Sequence, residues 1–586
     1  MEVLKSSRSL GEVKYTIGQM LLANGEKFAQ RPAFAEKENG KYRYWQWQEV
    51  KKDLTAFAGF LLQQGFKAGD RIGFVAGNNY ARLIAEMATM SIGCVSVPIF
   101  IGYAKDFLNQ LVEFSDLQGL VVENGAKFKQ VQNALWPKEV VILSGPVEEK
   151  WNSGKTTVRS FGQVLEQIQQ VDSAAVEAAI SQVKLDQQCM IMFTSGTTNF
   201  PKGVMLSHRN IMSQQTALES LWQPEEGMRF LCYLPWHHSF GGLFERFFAL
   251  HSGGCLAVDD SAGKDIDLLF ENFKTIKPHV YFSVPKIYQE IIGRVLTSKE
   301  AEATFFHPDL KFVFTAAAPL PLSVSNVFTK KGIPVAEGWG LTETSPCCTL
   351  TELSLQRELG VVGFPIPGVE VKLDPEGEIL VRGPNVMSGY FRNPEATERV
   401  LEKDGWFHTG DVGEITPGGV KILSRKDRVF KLSNGEKVFP AGIEERLRTR
   451  CKFIKHAYVF GSGQQAPLAL LFPNMDLVNA ESVGDVDAEA CKNPCSSQAL
   501  SGCLRTCIDQ VNESNPIRFE KVKRALVVQQ ELSLDKNELT PSFKLVPRTV
   551  EKNFAPYILS LQKQDKEVPE GSYLVSVDEE GEKGSE

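Results

Sequence analysis

The run Thr194-Ser195-Gly196-Thr197-Thr198-Asn199-Phe200-Pro201-Lys202-Gly203 gathers small hydroxyl residues, a glycine and a lysine into one short loop. Backbone N–H groups and hydroxyls brought together in this way can surround a single anion, and the chemistry they suit is the holding of a nucleotide triphosphate. A P-loop would place Ser or Thr directly after Gly-Lys, at the start of a helix. Here Pro201 interrupts the run before Lys202, and Gly203-Val204-Met205-Leu206 continues as extended apolar chain. The loop chemistry therefore argues against an ordinary P-loop kinase or ATPase. The plainer alternative is a Ser/Thr-rich surface turn. The density of small residues and the stiffening proline beside the lysine argue for phosphate.

Such a loop needs a rigid support. The apolar run Cys189 to Phe193 suits a buried strand that delivers the loop. Helical and strand patterns alternate from Phe34 onward, with a helix over Trp47 to Gln64 followed by a strand at Arg71-Ile72-Gly73-Phe74-Val75-Ala76. Gly93 to Pro98 and Cys255 to Val258 read as further strands of the same α/β layering. From about Val361 the texture changes to short strands punctuated by Gly and Pro, as in Gly368 to Leu373 and Glu378 to Arg382, which predict a small barrel-like unit. The charged junction Ser424-Arg425-Lys426-Asp427-Arg428 then precedes a fresh alternation ending near Phe554.

At 586 residues the chain exceeds what one core supports, so two or more domains are expected. A net charge of −7 and the lack of a dense Lys/Arg block exclude a nucleic-acid surface and favour small-molecule partners. The N-terminus lacks the apolar core of a signal peptide, and no run approaches the ~20 apolar residues of a membrane span, so a cytoplasmic location is expected. The eleven cysteines read as thiols of a reducing compartment. Cys491, Cys495, Cys503 and Cys507 form two pairs at i, i+4 spacing, read chiefly as ordinary thiols of a peripheral insertion, with metal or redox function as the alternative.

Four further segments carry chemistry: Gly338-Trp339-Gly340-Leu341-Thr342-Glu343-Thr344, Trp406-Phe407-His408-Thr409-Gly410-Asp411, Arg425-Lys426-Asp427-Arg428 and Leu539-Thr540-Pro541-Ser542-Phe543-Lys544. In this order, with the opening loop, the chain resembles the adenylate-forming superfamily of acyl-CoA synthetases, luciferases and peptide-synthetase adenylation domains. The resemblance runs from roughly Phe34 to Phe554. It implies an α/β fold: a large N-terminal domain of layered α/β subdomains plus a small β-barrel-like subdomain, over 1–426, and a small mobile α+β C-terminal domain over 427–560. Residues 561–586 are expected to be a disordered tail.

The resemblance also implies roles. Glu343 offers Mg2+ a hard oxygen ligand and Thr342 offers a hydroxyl to the α-phosphate. Asp411 accepts the ribose hydroxyls of ATP, with Arg425 as a second contact to the sugar. Ala316, Ala317, Ala318 and Pro319, together with Gly338, Trp339 and Gly340, line the adenine pocket, Trp339 standing where tyrosine is commoner. Lys544 is the catalytic residue of the first step, its charge meeting the α-phosphate and the attacking carboxylate. Thr194, Ser195, Gly196, Thr197 and Thr198 hold the triphosphate, and Lys202 in the same loop is either mainly structural or a contact to the leaving pyrophosphate. Asn199 replaces a usual glycine, tolerating positive φ better than other side chains do. Asp427 is the hinge, and Trp236 and His238 of Tyr233 to Gly242 form the acyl site. Leu243 to Phe248 reads either as a wall of an apolar tunnel or as a buried amphipathic helix.

Leu432 to Glu444 and Glu538-Leu539-Thr540-Pro541 look like the long-chain fatty acyl-CoA synthetase branch, with ATP and coenzyme A as co-substrates. The competing readings are a medium-chain or aromatic acid ligase, an acyl-carrier-protein ligase, and a non-catalytic nucleotide- or lipid-binding relative. Peripheral attachment to a membrane stays open, and the sequence sets no oligomeric state.

Overall fold

The computed structural model describes residues 2–131, 137, 139–152, 156–166, 172–194, 200–354, 356, 358–451, 453–475, 497–533, 536–539, 544–565 and 568–576, with side chains from 504 in the helix that begins at 497. Two large sheets dominate. One has eight strands, in the order Gly389–Tyr390, Lys202–Ser207, Gln188–Thr194, Val95–Pro98, Arg71–Val75, Gly119–Asn124, Glu139–Ser144 and Thr157–Ser160. The other has nine and is centred on Val335–Trp339, Phe312–Ala316, Val280–Ser283, Arg229–Cys232 and Cys255–Val258, which run parallel. Parallel strands are covered on both faces, which is why Ile72, Phe74 and Val75 form a continuous apolar run with no polar alternation.

The helix Tyr80–Ser91 touches strands of both sheets and is buried on almost every side. Asn79 starts it by accepting the Arg82 amide at 2.8 Å. The same helix carries Glu86 into the interior, fully buried, where the Arg246 guanidinium grips it with bonds of 2.8 and 3.1 Å. Arg82 and Ser96 add one bond each, at 3.2 and 3.1 Å. Removing one member of such a group leaves a buried unpaired charge and costs about 3–5 kcal/mol.

The expected helix from Trp47 ends at Gln63, one residue early. Leu243 to Phe248 is buried at every position. It spans a π-turn at Phe240–Glu245 and the helix Arg246–His251, with Phe244 stacked on Phe314 at 4.6 Å inside the core.

The third sheet is an open half barrel of five antiparallel strands: Leu4–Lys5, Glu370–Leu373, Glu378–Arg382, Phe407–Thr416 and Gly419–Arg425. Its first strand comes from the N-terminus, which the change of texture near Val361 did not announce. After Arg425 the chain makes a single 3-10 turn, Lys426–Arg428, and enters a separate core. There Ile454–Phe460, Leu468–Pro473, Arg524–Val528 and Ser572–Ser576 form a four-stranded sheet covered by Pro440–Arg450 and Ser497–Ser514.

The expected tail from 561 needs correction. The helix Ala555–Lys563 continues past 560, and Ser572–Ser576 pairs antiparallel with Arg524–Val528, placing Val575 in the core. The short apolar run Tyr573-Leu574-Val575 is a weak strand signal in an otherwise acidic stretch. Residues 577–586 lie outside the described residues. No helix among the described residues is long and apolar enough to cross a membrane.

Candidate active site

Gln188–Thr194 pairs antiparallel with Lys202–Ser207, with Thr194 directly opposite Lys202, so the hydroxyl-rich loop is the connection of a hairpin. Thr194 closes the ladder by donating its hydroxyl to the Lys202 carbonyl at 3.4 Å. Ser195, Gly196, Thr197, Thr198 and Asn199 lie outside the described residues. The Lys202 ammonium sits 4.7 Å from the centre of the Tyr390 ring, and Tyr390 belongs to the strand Gly389–Tyr390 on the other edge of the hairpin.

Tyr390 carries the contact onward. Its hydroxyl donates to Glu343 Oε1 at 2.8 Å. Glu343 is buried in the 3-10 turn Thr342–Thr344, and Thr342 beside it is half-buried. The second carboxylate oxygen of Glu343 has no hydrogen bond among the described residues, so one hard oxygen stands ready for a cation while the other is fixed.

The adenine positions come together at the carboxyl ends of neighbouring parallel strands, where Ala316 pairs with Gly338. Ala317 adopts φ +77°, a left-handed conformation that costs a residue with a Cβ about 1–2 kcal/mol. Ala318 and Pro319 follow it, half-buried. A Cβ on Gly338 would lie 2.7 Å from the Phe314 ring, and one on Gly340 would lie 1.7 Å from the Pro346 carbonyl oxygen. Only glycine fits at Gly340.

Between them Trp339 does more than offer a flat face. Its indole N–H donates to Asp411 Oδ2 at 3.0 Å, while Arg425 donates to Asp411 Oδ1 at 2.9 Å and to the Thr409 carbonyl at 3.1 Å. Asp411 is buried, and burial raises its pKa against the lowering effect of Arg425 and Trp339. A carboxylate has about four acceptor positions, so Trp339 and Arg425 leave about two of them open to further donors.

Asp411 sits within the strand Phe407–Thr416, at a bulge. Leu380 pairs with His408 and Glu378 with Val412, leaving Thr409-Gly410-Asp411 to loop out between them. Gly410 permits this at φ +70°.

From the C-terminal unit, the Lys544 ammonium comes within electrostatic reach of Asp411 and Arg425. Its pKa is lowered by burial, with Arg425 and Arg448 adding and Asp411 opposing. Lys544 and His238 both touch solvent while protein atoms crowd around them. Burial, assisted by Lys544, lowers His238 to about 4. The neutral ring accepts the Phe240 amide at Nδ1, 3.4 Å away, leaving Nε2 as the N–H donor.

Trp236 is fully buried, its indole packed 5.0 Å from the Arg246 guanidinium and 5.7 Å from that of Arg82. Asp427 is exposed in the turn between the two cores. Of the cysteine cluster, Cys491, Cys495 and the Cys503 side chain lie outside the described residues, and Cys507 is buried in the second core. No group of three or more metal-ligating side chains occurs among the described residues. Tyr390 and the N–H role of Trp339 were not read from the sequence. A lone Gly-Tyr carries no signal, and an indole does not say which acceptor it will meet.

A half barrel beside two layered sheets and a second small core joined through one turn make a two-domain architecture. Residues 21–391 match the model of the AMP-binding enzyme family and 427–566 that of the AMP-binding enzyme C-terminal domain. The chain belongs to the AMP-binding enzyme family.

Among its relatives, it is 26% identical to the peroxisomal long chain acyl-CoA synthetase 6 of Arabidopsis thaliana, over 90% of this chain and 82% of that one. It is 28% identical to the long-chain-fatty-acid--CoA ligase 1 of Homo sapiens, over 87% and 81%. Among solved structures, ATP-bound MatB from Rhodopseudomonas palustris superposes with a TM-score of 0.70 at 21% identity, over 92% of this chain and 99% of that one. The adenylation domain of a carboxylate reductase from Mycobacterium chelonae gives 0.74 at 18%, over 94% and 92%.

Proposed function

We propose that this chain activates a long-chain fatty acid with ATP, forming an acyl-adenylate and releasing pyrophosphate, and then transfers the acyl group to coenzyme A. The observation that carries this reading is the buried Asp411 carboxylate fixed by Trp339 at 3.0 Å and Arg425 at 2.9 Å, with the Lys544 charge felt both there and at His238. A cation between a sugar-binding carboxylate and a neutral N–H donor is where an α-phosphate and an attacking carboxylate would meet.

In this account the backbone around Ala317 and Gly340 cradles the adenine against Trp339, and Asp411 takes the ribose hydroxyls. The hairpin from Thr194 to Lys202 takes the triphosphate, and Thr342 reaches the α-phosphate. Lys544 offsets the negative charge that gathers as the acid oxygen attacks phosphorus and pyrophosphate leaves. His238 Nε2–H orients the acid. Glu343 would hold Mg2+ through its open oxygen, and a bound Mg2+ supplies charge neutralisation of the phosphates. The domains divide at Asp427, about which the small domain turns to replace Lys544 with the thiol of coenzyme A. The long-chain assignment rests on the two relatives named above.

The test is AMP release across a panel of carboxylic acids of increasing chain length, with and without coenzyme A. Release that peaks on long chains and turns over only with coenzyme A is expected. Release peaking on short or aromatic acids overturns the substrate, and no carboxylate-dependent AMP overturns the reaction.

A further inference from the structure

The looped-out residues Thr409-Gly410-Asp411 leave a backbone amide without a ladder partner, and a side chain from the neighbouring strand supplies one. Glu378 Oε1 accepts the Gly410 N–H at 2.9 Å. Its other oxygen, Oε2, accepts the Lys426 ammonium at 2.9 Å and His408 Nδ1 at 3.2 Å. The Glu378 side chain is only 6% exposed. One buried carboxylate therefore holds the amide immediately before the proposed ribose ligand Asp411 and the ammonium immediately before the proposed hinge residue Asp427.

Its surroundings make the link stiff. Lys426 is drawn further onto the half barrel by Glu376 at 3.1 Å and Asp374 at 3.8 Å. Asp411 lies directly opposite Arg425 in the strand pair and is bonded to it, so the two chain segments are joined on both sides of the bulge.

On the far side of Asp427 the anchoring reverses. Arg428 donates to Glu444 at 2.7 Å and to the Val459 carbonyl at 3.1 Å, and lies 4.5 Å from the Tyr458 ring, all within the small core. Asp427, exposed, is thus bracketed by one residue fixed to each body. Any shift of the bulge on seating a ribose would move the Gly410 amide. Because Glu378 is short and held at both oxygens, that movement is felt at Lys426.

We propose that Glu378 is a positioning residue that couples occupancy of the ribose site to the setting of the Asp427 hinge. The proposal rests on the nucleotide reading given above. Coupling is reciprocal, so a change on the hinge side must alter nucleotide affinity as much as nucleotide alters the hinge. The informative variant is Lys426→Met, because Lys426 is partly exposed and is assigned no contact with nucleotide.

AMP is titrated calorimetrically into wild type, Lys426→Met, Glu378→Gln and the double variant, with the Tm of each recorded alongside. We expect Lys426→Met and Glu378→Gln each to weaken AMP binding by about three- to tenfold, and the double variant to be no weaker than the poorer single one. Wild-type affinity in Lys426→Met, within twofold, or multiplied losses in the double variant, overturns the coupling while leaving the nucleotide site intact. A purely structural Glu378 would lower its own Tm and leave the Lys426→Met affinity alone, which also overturns it. If wild type itself binds no AMP, the nucleotide reading falls and takes this proposal with it.

Discussion

The two ends of the cleft are built on opposite electrostatic plans. At the nucleotide end each carboxylate is held in place: Asp411 by Trp339 and Arg425, Glu343 by Tyr390, and Glu378 by Gly410, His408 and Lys426. At the acid end the groups are neutral or hidden. His238 is kept uncharged, His237 packs on Phe100 at 4.7 Å, and Trp236 lies beneath the surface. The difference matches the ligands proposed for each end. A polyanionic, hydroxylated nucleotide rewards donors and acceptors fixed in advance, whereas an apolar chain with a single carboxylate rewards a surface without fixed charge.

Substitutions can break this contrast, and the largest effect is expected where the two ends meet. Lys544→Ala should slow adenylation by about a hundredfold to a thousandfold, comparable to losing one transition-state donor. It should still convert a supplied acyl-adenylate to the thioester, as single-turnover assays of each half-reaction would reveal. Next comes Asp411→Ala, which removes the sugar acceptor and leaves Arg425 and Trp339 without their partner. Loss of charge-assisted hydrogen bonds worth about 1.5–3 kcal/mol raises the KM for ATP by about ten- to a hundredfold, while the KM for the acid should hold.

Trp339→Phe is a finer probe, because it keeps the aromatic face and deletes only the N–H. A loss of about 1 kcal/mol, or about fivefold in the KM for ATP, is expected, and an unchanged KM would show that the bond to Asp411 positions nothing.

The smallest effects concern stability. The φ of Ala317 favours glycine, so Ala317→Gly should raise stability by up to about 1 kcal/mol, read as a higher urea midpoint. At the acid end, unfolded His238 takes up a proton near pH 6.5 that the folded protein refuses until about 4. The unfolded state thus binds more protons across that window, and this contribution is present above pH 6.5 and lost as pH falls toward 4. His238→Asn should therefore flatten the acid limb of a urea-midpoint profile relative to wild type.

The sequence was more legible at the nucleotide end, for a physical reason. Phosphate loops, tight glycines and acidic ligands demand residue types with few substitutes, as Gly340 shows with a carbonyl oxygen where its Cβ would stand. The strands at Arg71–Val75, Cys255–Val258 and Glu378–Arg382 were equally plain, because burial on the core face fixes their apolar residues. At the acid end, Trp236 could be placed in the motif but not in depth, since an indole suits a ligand wall and a core equally well. Long-range partnerships were invisible. Nothing in Gly389-Tyr390 says that the hydroxyl will reach Glu343, and nothing in Glu378 says that a bulge thirty-two positions later will need its oxygen. The Ser572–Ser576 strand was missed because its short apolar core is flanked by charge.

The central claim, that this cleft joins a carboxylate to AMP, is tested most directly by exchange of labelled pyrophosphate into ATP in the absence of coenzyme A. The account predicts exchange that requires a long-chain fatty acid and Mg2+ and is lost in Lys544→Ala. Exchange without any carboxylate, or carboxylate-dependent release of phosphate and ADP with no exchange, would contradict it.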